Sequence, residues 1–145
     1  MSRMHDVDFL VQKPTVVCNA CAMGRAGLSN CITWKLDLWT SYESLHKADI
    51  GLAVYYYKEN IDYDNYLIPD KDNPFILVPT KERAIVEAII DDMLDEGILI
   101  ESIQNYLQFF CNMDLLYEVA DFYKLDRDTL EYWLQEAREE TWDGN

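Results

Sequence analysis

Three groups of residues have the types and spacing that chemistry needs. The first is Cys18-Asn19-Ala20-Cys21, with Cys31 ten residues on. A C-x-x-C pair can hold two corners of a tetrahedral zinc site, with Cys111 or His46 left to complete it. No second C-x-x-C and no H-x-x-x-H accompanies the pair. Cys18, Cys21 and Cys31 are therefore candidate ligands of an incomplete set, and small buried cysteines at a strand–helix junction are the expectation instead. No metal or other cofactor is expected, and the chain is expected to fold without one. The second group is Asp91, Asp92, Asp95 and Glu96, since paired acids can serve acid–base or Mg²⁺ chemistry. No nucleophile or Gly-rich phosphate loop stands near them, and His5 and His46 lie in unrelated contexts. They read as a solvated face, and no catalytic residue is assigned.

The third group, over 116–134, has the spacing of a helix-turn-helix. Val119-Ala120 fall on the first helix, Leu125 in the turn, and Thr129-Leu130 and Trp133 on the second. Small and apolar residues at those positions let two helices cross closely. The second helix, however, offers Asp126, Asp128, Glu131 and Glu136 against Arg127 and Arg138. Those carboxylates would repel a duplex, so the segment reads as a helical hairpin packed for stability.

Charge points the same way. The 145-residue chain carries a net −15, and phosphate-backbone contacts need Lys or Arg to release counterions. Residues 1–80 hold ten acids and seven bases, net −3; residues 81–145 hold seventeen acids and five bases, net −12. An acidic C-terminal half favours a basic protein partner, or serves solubility alone. The acids expected to face such a partner are Asp91, Asp92, Asp95, Glu96, Asp126, Asp128 and Glu131. No run of apolar residues approaches a bilayer span and the N-terminus lacks a signal-peptide core, so no membrane contact and a cytoplasmic location are expected. Half of the residues are hydrophobic, which is enough for one packed domain over 1–145.

The elements are arranged around Val78-Pro79-Thr80-Lys81-Glu82-Arg83-Ala84-Ile85-Val86-Glu87. Pro79 cannot donate to a ladder and closes a strand over 75–78. Thr80 is placed to cap the following helix, with Glu82 at the positive end of its dipole. Arg83, Glu87, Asp91 and Asp95 recur at i+4 as one polar stripe. Thr80, Glu82 and Arg83 thus mark a hinge between a strand-rich half, 1–79, and an acidic helical half, 80–145. Arg83 is expected to turn inward and meet strand carbonyls or a carboxylate, with Asp37 or the acids of the last two helices as candidates. Upstream, 7–11 suits a short strand, 15–18 another and 20–26 a small helix ended by Gly27. Strands are expected at 32–40 and 52–58, and a polar loop over 62–73. Downstream, Gly97 interrupts the helical pattern. A second helix follows over 98–111, with Leu99, Ile103, Tyr106, Leu107 and Phe110 on one face. Helices over 114–123 and 126–140 complete the chain, the last capped by Asp126. The expected class is α+β: a small mixed sheet from the first half covered by about four helices from the second.

The Pro-Thr-Lys-Glu-Arg-Ala-Ile-Val-Glu string of 79–87 resembles the C-terminal domain of the abortive-infection (AbiEi-like) antitoxins of type IV toxin–antitoxin systems. A second, shorter echo is Ala22-Met23-Gly24-Arg25-Ala26-Gly27-Leu28-Ser29-Asn30, similar to the small-residue helix and turn upstream in that family. The two stand in the family's order and bracket roughly 14–105. The resemblance implies an antitoxin-like, phage-defence-related interaction module without catalysis. Family members usually begin with a winged-helix DNA-binding domain, and this chain is too short to contain one ahead of Pro14, so operator binding is not carried over. The partner implied is a toxin. The alternative is an acidic DNA mimic that inhibits a nucleic-acid-binding defence enzyme, of the anti-restriction or anti-CRISPR type. A helix-turn-helix DNA-binding regulator ranks third.

Overall fold

The computed structural model describes residues 14–30 and 35–143, the side chains of 140–143 excepted. The strand expected at 7–11, the first residues of the strand expected at 32–40, and Cys31 lie outside the described residues. The fold is α+β: a mixed six-stranded sheet from the first half with helices mostly from the second.

In chain order the strands are β1 (Thr15–Val17), β2 (Leu36–Thr40), β3 (Ala48–Ile50), β4 (Ala53–Tyr57), β5 (Leu67–Pro69) and β6 (Ile76–Pro79). The helices are α1 (Asn19–Arg25), α2 (Lys81–Asp91), α3 (Glu96–Asn105), α4 (Met113–Phe122) and α5 (Arg127–Asp143). The sheet order is β3-β4-β2-β1-β6-β5. Parallel pairs join β2 to β4, with Leu38 beside Tyr55, and β1 to β6, with Val16 beside Leu77. Period-two alternation sorts β1 and β2 between two faces. Val17 and Leu38 enter the main core with Ile85, Ile103, Leu116 and Leu134, while Val16 and Trp39 enter a smaller one with Cys18.

Two strands were not expected. Ala48-Asp49-Ile50 is too short to show alternation, and it forms because the Gly51-Leu52 turn, with Gly51 at φ +64°, returns β4 against it. Leu67–Pro69 lies inside the expected polar loop and is held by pairing with β6, Ile68 beside Val78.

The helix ends show local chemistry at work. Thr80 Oγ1 accepts from the Arg83 amide at 3.3 Å and starts α2. Thr80→Ala is expected to lower stability by about 1 kcal/mol in a urea melt; an unchanged midpoint would show that the cap contributes nothing. The break after α2 comes earlier than Gly97. Asp92 takes a left-handed conformation at φ 51°, and Asp95 Oδ2 then caps α3 by accepting from the Ile98 amide, leaving Gly97 inside the first turn. The helix expected through 111 ends at Asn105 and passes into a π-helical turn, Tyr106–Phe110. One extra residue per turn rotates Phe110 away from the apolar face, so Phe110 is exposed while Leu99, Ile103 and Tyr106 stay buried. At the far end Lys124, at φ 61°, turns the chain between α4 and α5, and Asp126 Oδ2 accepts from the Thr129 amide.

Candidate interaction surface and the ionic junction behind it

Arg83 does turn inward, and it has no exposed surface. Its partners differ from those expected. Nε donates to Glu87 Oε1 at 2.7 Å and Nη2 to Oε2 at 3.3 Å, so the carboxylate comes from its own helix. Nη1 donates to the Asn65 carbonyl at 2.7 Å and Nη2 to the Asp62 carbonyl at 2.9 Å. The carbonyls thus belong to the β4–β5 connection rather than to a strand. Asp37 instead lies 3.4 Å from the Asn19 amide nitrogen, and burial raises its carboxyl above the ordinary value.

Over Arg83, Glu87 and Asp91 the i+4 stripe is consequently an internal row rather than a surface one, while Asp95 lies beyond α2 and is exposed. Glu87 is buried and Asp91 half-buried. Lys58, just past β4, bridges them, its Nζ 3.4 Å from Glu87 Oε2 and 3.2 Å from Asp91 Oδ2. The same ammonium lies 3.7 Å from the centroid of the Trp39 ring. Signs alternate along the row Arg83, Glu87, Lys58, Asp91, which leaves no net charge there to recruit a ligand. On the other side of Arg83 the Tyr123 ring lies 5.2 Å from the guanidinium carbon, and its hydroxyl donates to Asp62 Oδ2 at 2.8 Å. Burial works to raise Asp62. The Asp64 amide, the Tyr123 hydroxyl, Asn65 and Arg83 outweigh it and hold the carboxyl below the usual range. Burial first, then the bond to Asp62, pushes the Tyr123 hydroxyl well up, so it remains a donor.

Glu82 serves more than the helix dipole. It is buried, and Tyr106 donates to its Oε2 at 2.8 Å while the Asn112 amide donates to the Tyr106 oxygen at 3.1 Å. This clasp pins the π turn and the start of α4 to the first turn of α2. The sequence carried one signal for these nodes, namely charged residues at i+4 spacing inside an otherwise apolar helix. It carried none for Tyr106.

Cys18 and Cys21 pack in different clusters. Cys18 packs with Val16 and Trp39, whereas Cys21 packs in the main core. The Cys21 sulfur donates to the Lys35 carbonyl at 3.2 Å and accepts from the Asp37 amide at 3.3 Å. Burial first, then Asp37, the neighbouring Cys21, Asp91 and Glu87, pushes the Cys18 thiol well above its ordinary value and keeps it neutral. His46 Nδ1 accepts from the Tyr57 amide at 3.0 Å, and Cys111 is exposed. Among the described residues no group of three His, Cys, Asp or Glu is placed to hold a metal ion.

The seven acids expected to face a partner divide in two. Asp92 and Asp95 are exposed on the link between α2 and α3 and Glu96 on the first residue of α3, after the half-buried Asp91. Asp126 and Asp128 are exposed at the start of α5, and Glu131 accepts a hydrogen bond from the Tyr117 hydroxyl. Of the five bases of the helical half, Arg83 is buried, Lys81 lies 4.5 Å over the Phe110 ring and Arg127 pairs with Asp121 at 3.2 Å, while Lys124 and Arg138 are exposed. Apolar side chains missed as surface residues stand among the acids. Ile90 and Met93 flank Asp91 and Asp92, Phe122 follows Asp121, and Tyr132 follows Glu131, all exposed. Beside the α2–α3 link a crevice opens between α1 and α2, lined by Cys18, Asn19, Ala22, Ala84, Ala88, Asp91, Met93 and Leu94 among others.

No protein-family model matches the chain, and no curated protein matches it. Among the described residues no helix is long and apolar enough to cross a membrane.

Proposed function

We propose that this protein is a non-catalytic interaction module of the antitoxin or phage-defence kind, which binds a basic protein partner through the acids of its helical half. The observation that carries the reading is the excess of solvent-facing acids. Arg83 is buried, Lys81 lies over the Phe110 ring and Arg127 is paired at the surface with Asp121, while Asp92, Asp95, Glu96, Asp126 and Asp128 face solvent against the exposed bases Lys124 and Arg138. The field presented outward is therefore acidic, and it would steer a basic surface toward these helices. The resemblance at 79–87 supplies the biological class. The exposed apolar residues between the acids favour a protein interface over a DNA mimic, which needs unbroken rows of carboxylates at phosphate spacing. A toxin or a nucleic-acid-binding enzyme is the partner that fits, and the working compartment proposed is the cytoplasm.

The test is co-expression with the gene adjacent to this protein's own. Relief of a growth arrest caused by that gene, together with a co-purifying complex that dissociates as salt is raised, is the expected result. Absence of both relief and co-purification would overturn the antitoxin reading. Duplex DNA is expected to be left unbound at moderate salt because the exposed helical surface would repel phosphates. A gel-shift titration that finds specific micromolar retention of a duplex would overturn that expectation.

A further inference from the structure

We infer that the crevice between α1 and the end of α2 is where the basic partner docks, taking one apolar side chain while neighbouring lysines or arginines of the same segment meet Asp92, Asp95 and Glu96. This inference rests on the basic-partner reading and gives it a place. Its lining joins the small residues Ala22, Ala84 and Ala88 with Trp39, Leu94 and the carboxylates Glu87 and Asp91, which Lys58 already pairs, and the open crevice holds a volume of about 20 Å³ until Met93 moves. That is room for roughly one water. Met93 stands at the rim on the non-helical link, 63% exposed, with Ile90 three residues before it and 44% exposed. A thioether chain with three rotatable bonds at such a place can swing aside and repack around an incoming side chain. Exposed apolar groups rimmed by charge mark interaction surfaces more often than scattered single residues do.

Charge selects the occupant. Lys58 already serves Asp91, whereas among the described residues no base pairs with Asp92, Asp95 or Glu96. Three carboxylates in five positions repel an anionic lipid surface or a nucleic acid. A second copy of this chain carries the same net −15 and is disfavoured as well. A segment that is both apolar and basic satisfies the rim and the crevice together.

The experiment uses the full chain with ¹³C-labelled methionine methyl groups and three synthetic peptides: an amphipathic leucine–lysine helix, an oligolysine of equal charge, and a leucine–glutamate helix. The leucine–lysine peptide is expected to shift the Met93 methyl resonance and to bind about tenfold more tightly than oligolysine. Met93→Glu is expected to weaken that peptide by about tenfold although it adds negative charge, since apolar contact is lost; Met93 is exposed, and a thermal melt verifies that the variant folds. If oligolysine binds equally well and the Met93 resonance stays in place, the crevice assignment fails while the basic-partner reading survives. Equal binding of the leucine–glutamate peptide would show a crevice indifferent to charge and would also overturn the assignment. If neither lysine peptide binds, both the assignment and the reading beneath it fall.

Discussion

Arg83→Ala is expected to lower the unfolding free energy by ~3–5 kcal/mol, the range for breaking a buried ion pair by removing one partner. The loss has two sources. Glu87 keeps its charge in a buried place with only Lys58, 3.4 Å away, left to compensate it. The Asp62 and Asn65 carbonyls lose their donors at the same time, so the β4–β5 connection is released from α2. Glu87→Ala is expected to cost as much, because it strands a fully buried guanidinium. The double variant Arg83→Met, Glu87→Leu separates charge from packing: it is expected to be more stable than the sum of the single losses, since neither partner is then left uncompensated. A urea titration in which Arg83→Ala falls within ~0.5 kcal/mol of the parent would show that Arg83 is not the tie between the two halves. An exposed i,i+4 pair contributes only a few tenths of a kcal/mol. Burial is what separates the two outcomes.

Tyr106→Phe is expected to cost ~2 kcal/mol, the size of a hydrogen bond to a charged group. The substitution keeps the ring and its packing, so the change isolates the hydroxyl. Glu82 Oε2 loses its donor and the Asn112 amide loses its acceptor, both beside the fully buried Tyr106. The Asn112 side chain caps α4 by accepting from the Leu115 amide at 3.2 Å, so loosening Asn112 also weakens the start of that helix. Hydrogen exchange is expected to rise first in the π turn and the first turn of α4, ahead of the sheet. Uniform exchange across the molecule, with a stability change below ~0.5 kcal/mol, would mean that water replaces the hydroxyl and the clasp has no separate role.

The π turn also shows how one local deviation reassigns a surface. The apolar spacing of Leu99, Ile103 and Tyr106 led correctly to a buried face, and the same spacing extended to Phe110 put that ring on it. The chain instead inserts its extra residue where Tyr106 must reach Glu82, which turns Phe110 outward against Lys81. A polar contact twenty-four positions away in sequence decided the position of an apolar ring.

The sequence by itself determined the fold class and the order of the elements other than β3, β5 and the π turn. Proline at 79, threonine at 80 and aspartate at 126 act on their own backbone neighbours, and β-branched runs and apolar spacing depend only on nearby residues. Signals of that range are readable without a structure. The net −12 of the helical half was equally legible, being a matter of counting. What only the tertiary structure decided is where the charged groups go. Arg83, Glu87 and Asp91 share one helical stripe in either environment, and the sequence cannot tell water from a sheet beneath them. The β4–β5 connection, brought over α2 by strand pairing at both its ends, supplies the carbonyls and the lysine that make burial tolerable. The strands β3 and β5 belong to the same category, since three residues become a strand only when a neighbour offers its ladder. So does the crevice beside Met93. Its inner wall joins alanines from α1 and α2, some sixty residues apart in sequence, and no local pattern marks residues that meet only because two helices pack side by side.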